Sequence, residues 1–344
     1  MREDITLVDG PDLDEAAVEA LAHLLTEADA DRSPGDPPIS PAQLALDERV
    51  LPSWMQRTRA LAWGPDGALL GAAAVELEDR PDNRHLAWLE VVVAEGARRR
   101  RIGSAVLEAV IPVAVDDGRT LAMGGTPVGG PGASAAAALG LTVGQVEHRN
   151  RVRTADLPRP LLESWVRDGA ERARGYSLVA VDGPVPDELL EPFASLLAVM
   201  NDAPIDDLEI EDAVFTPEDV RATHEATARQ GTDRWTVLVR HDATGDLVAL
   251  TELQIPAIDT WLAGQGDTGV ASAHRGHGLG RWLKAVNALR VLDERPDVAA
   301  IQTWNAGTNA HMLAINQAMG FRAEAGQALV QGDLASLLGR VARR

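Results

Sequence analysis

The chain has no cysteine, and that absence alone removes disulfides, zinc–thiolate sites and any thiol nucleophile. Its 344 residues hold one lysine, Lys284, one tyrosine, Tyr176, and three phenylalanines, so arginine carries almost all of the positive charge. No apolar run reaches the roughly 20 residues that a membrane-spanning helix needs. The longest, around Ala133 to Leu141, is alanine-rich and broken by Gly140. The start, Met1-Arg2-Glu3-Asp4, is too acidic for a cleaved leader. A net charge of −20 disfavours nucleic acid and anionic membranes, both of which reward basic faces. That charge reads either as steering for a cationic partner such as an amine or as plain solubility. The expectation is a cytoplasmic protein, monomer or homodimer.

What is present is enough for two domains, each able to bury a core of its own. The order of elements repeats. In the first half, Ile5–Val8 predicts a strand and Ala16–Ala28 a helix. The hairpin of Leu61–Trp63 and Ala68–Leu77 follows, then the β-branched strand Leu86–Val93. Arg98-Arg99-Arg100-Arg101-Ile102-Gly103 opens a helix reaching about Val115, followed by a short strand from Leu121 and a helix from Ala133. In the second half, Tyr176–Val181, Asp187–Met200, Pro217–Arg229 and the hairpin Trp235–Arg240/Asp246–Ile255 give the same series. Arg98 and Arg275 lie 177 positions apart, Gly67 and Gly245 178, Gly140 and Gly320 180. Near-constant offsets imply two copies of one α/β fold: 1–155, a linker helix within 156–175, and 176–344.

The second copy carries the stretch with chemistry in it. After the strand-like Asp267-Thr268-Gly269-Val270 comes His274-Arg275-Gly276-His277-Gly278-Leu279-Gly280-Arg281, then a helix with Leu279, Leu283, Val286, Leu289 and Leu292 on one face. Glycines at such a turn admit a ligand close to the backbone. The unpaired N–H groups of the helix's first turn and its dipole then favour a phosphate. The spacing is neither a P-loop, which ends in Gly-Lys-Ser/Thr, nor the GxGxxG dinucleotide fingerprint. His274 and His277 at i, i+3 have no third ligand in view, so no metal is expected.

Arg275-x-x-Gly278-x-Gly280 resembles the acyl-CoA pyrophosphate loop of the GNAT superfamily of N-acyltransferases. The downstream order fits that resemblance: a strand to Trp304, Asn305-Ala306-Gly307-Thr308-Asn309, a helix, and Gly320-Phe321 with Asn309 twelve residues before the phenylalanine. The resemblance covers nearly the whole chain. It implies an α/β (α+β) fold of two tandem GNAT-like domains, each a mixed, mostly antiparallel sheet flanked by helices. Met200–Pro204, Gln265-x-Asp267-Thr268, His274–Gly280 and Thr303–Met312 together resemble an actinobacterial subgroup of tandem GNAT proteins distantly similar to mycothiol synthase.

Acetyl-CoA is then the implied co-substrate, and the primary amine of a small molecule the acceptor, attacking directly in a ternary complex. Cofactor contacts are implied for Thr268, Gly269, Val270, Arg275, Gly276, His277, Gly278, Leu279, Gly280, Arg281, Asn305 and Asn309. The family's usual glutamate, eleven residues before the loop arginine, is Gly264 here, and its usual tyrosine, five before the phenylalanine, is Asn316. Glu252 and Asp267 are the candidate bases, and Asn316 is able to donate a hydrogen bond to the thioester sulfur. Asp202 and Trp261 are candidates for the acceptor site. The first copy has Arg101 in place of Gly278, Gly129 in place of Asn309 and Ala74 in place of Glu252, so it reads as a scaffold. The departures leave a second reading open, a non-catalytic acyl-CoA-binding or regulatory protein.

Overall fold

The structure, a computed structural model, describes residues 4–30 and 33–343. Met1 to Glu3, part of the acidic start, lie outside them. In chain order the elements are β1 (Asp4–Asp9), α1 (Glu15–Asp29), α2 (Pro41–Arg49), β2 (Met55–Trp63), β3 (Leu69–Glu78), β4 (Leu86–Val93), α3 (Ile102–Asp116), β5 (Leu121–Pro127), α4 (Gly130–Ala138) and β6 (Thr142–Arg153). There follow α5 (Arg159–Arg172), β7 (Tyr176–Asp182), α6 (Asp187–Leu197), α7 (Pro217–Arg229), β8 (Asp233–His241), β9 (Leu247–Ile255), β10 (Leu262–Val270), α8 (Leu279–Glu294), β11 (Ala300–Ala306), α9 (Ala310–Ala318), β12 (Arg322–Asp333) and α10 (Leu334–Ala342).

Two compact units result, and neither is continuous in sequence. Unit 1 is Met1–Glu147 with Ile205–Glu211 and Ala325–Arg344; unit 2 is His148–Pro204 with Asp212–Glu324. The expected division at 155–176 therefore differs from the packing in three ways. Helix α5 packs on α8 in unit 2 instead of linking. The second half's last helix, α10, packs on α3 in unit 1. A short segment between α6 and α7 is seated in unit 1, where Leu208 joins Met123 and Leu329.

Unit 1 lays its strands in the order β1-β2-β3-β4-β5-β12, and unit 2 in the order β7-β8-β9-β10-β11-β6. The hairpin pairs are antiparallel, whereas β4/β5 and β10/β11 run parallel. Both faces of each sheet are covered, so the central strands are apolar on alternate residues of both registers. In unit 1, Ala60 and Ala62 pack under α3, and Leu61 under α1. In unit 2, Val237, Val239 and Ala249 lie under α8, while Leu238 and Leu250 meet Phe193 of α6.

The feature that positions the site is where the parallel pairs stop. Strands β10 and β11 pair only at Leu262–Gly264 with Ala300–Gln302. Beyond Gln265 the edge of β10 turned from β9 has no strand partner among the described residues, and the sheet opens there. The same parting occurs in unit 1 after Trp88 pairs with Met123.

Candidate active site

The opening is edged by a bulge. Pairing between β10 and β9 slips between Gln265 and Thr268, so Gly266 and Asp267 together oppose Glu252. Side chains hold this irregularity in place. Gln265 Nε2 donates to the Glu252 carbonyl at 2.6 Å and to Thr251 Oγ1 at 3.1 Å, and the Thr251 and Thr268 hydroxyls are 2.8 Å apart. Gly269 follows, and it has to be small: a Cβ there would lie 2.4 Å from Val199 Cγ1, in the turn Ala198–Asp202 that continues α6.

The two candidate bases have different surroundings. Glu252 is buried, its Oε1 accepting from Arg234 Nη1 at 3.0 Å and from Thr236 Oγ1 at 3.1 Å. Arg234 Nη1 lies 2.7 Å from His224 Nε2. Burial, with the Arg234 charge beside it, lowers the His224 imidazole to about 3, so it is neutral. Asp267 is half-buried, and its carboxyl is raised to about 6, by burial first and by the Glu252 charge second, with Arg234 opposing. A carboxylate poised near neutrality at an open sheet edge is suited to taking a proton.

The glycine loop is an open cradle. Gly276 and Gly278 sit at φ +86° and +79°, the left-handed region that glycine enters at little cost, and nothing lies within 4 Å of where their Cβ atoms would be. Leu279 is buried and anchors the helix start, with Gly280 in the first turn of α8. The neighbouring side chains are committed elsewhere. Arg275 donates Nε–H to the Val270 carbonyl at 3.0 Å and pairs with Asp202. The Arg281 guanidinium lies 5.5 Å over the Trp165 ring, His277 Nδ1 is 3.2 Å from the His274 carbonyl, and His274 Nδ1 bonds the Tyr176 hydroxyl at 2.9 Å. Backbone N–H groups are thus what the cradle offers an anion, and the residues present fit a diphosphate.

Across the opening, Asn309 caps α9, its Oδ1 accepting from Met312 N at 3.2 Å, while its side-chain amide N–H groups have no partner among the described residues. Asn316 is buried and donates Nδ2 to Asn305 Oδ1 at 2.8 Å, an oxygen that also receives Asn150 Nδ2 at 3.3 Å. Trp261 is not brought to the others. It precedes the closed end of β10 and has the Arg151 guanidinium 5.5 Å over its ring, whereas Asp202 is at the other end of the strand beside Arg275.

The first copy keeps more of this design than its residues suggested. Arg99 and Arg101, in place of Gly276 and Gly278, stand at φ +63° and +67°, so the loop holds the same left-handed turns with side chains that resist them. Arg98 Nε donates to the Val93 carbonyl at 3.4 Å, repeating Arg275 and Val270. Glu90 stands eight residues before Arg98, as Asp267 does before Arg275. Its carboxyl is raised by burial, with Arg59 opposing at 3.8 Å. The 177-residue offset alone pointed to Glu90.

Two copies of a sheet that parts beside a glycine- or arginine-bearing helix start give this chain the tandem GNAT fold, and its first copy matches an acetyltransferase family model. The family model, acetyltransferase (GNAT), matches residues 24–124, which lie in the first copy. Among solved structures the chain is similar to a tandem GNAT protein from the clavulanic acid biosynthesis pathway, in a form without acetyl-CoA. The two are 25% identical over 96% of this chain and 99% of that one, with a TM-score of 0.77. It also shares the fold of a GCN5-related N-acetyltransferase from Sphaerobacter thermophilus, at 15% identity, TM-score 0.68 and 96% coverage of both chains. No curated protein matches the chain. Among the described residues no helix is long and apolar enough to cross a membrane.

Proposed function

We propose that the second copy transfers the acetyl group of acetyl-CoA to the primary amine of a small molecule, by direct attack within a ternary complex. The observation that carries this reading is the placement of Asp267. It lies on the bulge, on the edge of β10 that leads to the open glycine cradle, with its carboxyl near neutrality.

The roles follow from position. First-turn N–H groups of α8 and the glycine turns bind the diphosphate, and Asn309 donates to the pantetheine arm. Asp267 accepts the proton of the ammonium group, directly or through one water. The freed lone pair forms the N–C bond, and unpaired N–H groups of β10 between Gln265 and Val270 stabilise the developing oxyanion. The C–S bond breaks and the thiolate leaves, taking its proton from solvent, while the nitrogen gives its second proton to solvent and becomes the neutral amide. Asn316 has no proton to give and supplies at most a hydrogen bond.

The test is thiol release from acetyl-CoA against a panel of small amines. Turnover that falls on Asp267→Asn supports the reading. Tight coenzyme binding with no turnover on any amine supports the non-catalytic one. A second reading, that the first copy also binds acyl-CoA, is favoured by the conserved loop turns at Arg99 and Arg101 and by the family match there. Binding stoichiometry with Gly103→Asp decides it.

A further inference from the structure

Asp267 and Glu252 face one another across the bulge, yet only one of them is free to take a proton. Glu252 is 5% exposed, and the groups around it are donors: the Arg234 guanidinium, the Thr236 hydroxyl and, behind Arg234, the His224 ring. Val185 N also donates, to His224 Nδ1 at 3.2 Å. A neutral imidazole accepts one hydrogen bond in its plane, and a guanidinium accepts none, so this cluster has more donors than the ring absorbs. Two of these donors, Arg234 Nη1 and Thr236 Oγ1, reach the Glu252 carboxylate. A carboxylate buried under an arginine and a hydroxyl is fixed in place and has its Oε1 lone pairs engaged.

We propose that Glu252 is a positioning residue: held by Arg234 and Thr236, it sets a fixed negative charge against Asp267 and so prepares Asp267, not itself, to take the proton. This rests on the assignment of Asp267 as the base.

The surroundings support it. Burial and the Glu252 charge both push the Asp267 carboxyl up, and Arg234 pulls it down. Other charged groups on the elements packed against β10 are engaged elsewhere. Asp202, in the turn after α6, pairs with Arg275. On α8, Arg281 lies over Trp165, and the Lys284 ammonium is 5.9 Å from the Phe321 ring centroid. The described pairs of β11 with β10 hold no ionisable side chain. Glu252 and Arg234 are thus the charges that act on Asp267, and Glu252 is the one that raises its carboxyl.

The experiment is a carbon-detected side-chain titration of Asp267, assigned with Asp267→Asn, in wild type and Glu252→Gln, alongside kcat/KM against pH. The expected midpoint is about 6 in wild type. In Glu252→Gln it moves to lower pH, and the acid limb of kcat/KM moves with it, while the plateau falls by less than about tenfold. A loss of about 10²-fold or more at every pH with an unmoved Asp267 titration makes Glu252 the base and overturns the proposal. Full activity in Asp267→Asn refutes the base assignment instead, and the titration still reads whether Glu252 acts on Asp267. If Glu252→Gln does not fold, Glu252→Asp, which draws the charge back by one methylene, takes its place: an unmoved Asp267 midpoint rejects the proposal, as does a wild-type midpoint at the ordinary aspartate value of about 3.9.

Discussion

Arg275 donates its Nε–H to the carbonyl of Val270, five residues back, and so ties the glycine loop to the end of β10. Arg98 does the same for Val93 in the first copy, so the loop arginine serves as a clamp in both. Its partner Asp202 is about half exposed, and an ion pair there contributes little. Arg275→Gln is expected to raise KM for acetyl-CoA by about tenfold, the cost of about one charge-assisted hydrogen bond, with kcat nearly unchanged. Asp202→Asn is expected to leave stability within about 0.5 kcal/mol. Steady-state kinetics and urea unfolding check the two.

Helix α5 packs along α8, most closely at Gly169. A Cβ on Gly169 would lie 2.6 Å from the Trp282 ring, and Arg281 stacks on Trp165 from the other side. Gly169→Val is expected to destabilise unit 2 by about 1–3 kcal/mol through overpacking. Urea unfolding followed by tryptophan fluorescence measures it, and a neutral result would mean that α5 is not held there.

Asp267 costs stability where it serves chemistry. Its folded value of about 6 exceeds the usual 3.8, so the folded state resists ionisation. The penalty is absent below pH 3.8, grows as pH rises to 6, and is complete above it. Asp267→Asn is therefore expected to unfold later than wild type at pH 7, by at most about 3 kcal/mol less what solvent screens, with the two converging near pH 4. Activity falls by about 10²-fold or more. A variant that loses activity and stability together would assign Asp267 a structural role.

Lys284, the chain's only lysine, is buried in α8, and burial lowers its ammonium to about 7. The unfolded chain holds that proton up to about pH 10.5, so wild-type stability is expected to rise as pH climbs from 7 to 10.5. Lys284→Met removes that slope and gains several kcal/mol near pH 7, on the order of the shift in value. Thermal melts across this range read both.

Much of the scaffold was legible in the sequence. Strand β4 and helix α7 have the boundaries their patterns gave, and the glycine loop and the repeat order were readable from spacing, whereas Asn309 was singled out by the family resemblance. Strands β6 and β12 were not. The buried positions of β6 include Gln145, Arg149 and Asn150, which erase the apolar alternation that marks a strand. The exchange of α5 and α10 between units is non-local, and no local pattern encodes it. At the site, Asp267 and Glu90 share one offset and were within reach of the sequence. Arg234 and Thr236 come to Glu252 from β8 and His224 from α7, and they belong to no motif, so only the fold brings them forward.

The account turns on the start of α8 as the seat of the coenzyme's diphosphate. Gly280 lies in the helix's first turn, and a Cβ there meets Val270 and Ile315 only at ordinary contact, 3.8 and 3.9 Å. An aspartate at that position suits the helix and opposes an anion. Calorimetric titration with acetyl-CoA is the direct measurement. Wild type is expected to bind with measurable heat, and Gly280→Asp, equally folded, to lose binding at the second copy. No heat in wild type, or unchanged affinity and stoichiometry in Gly280→Asp, would contradict the assignment.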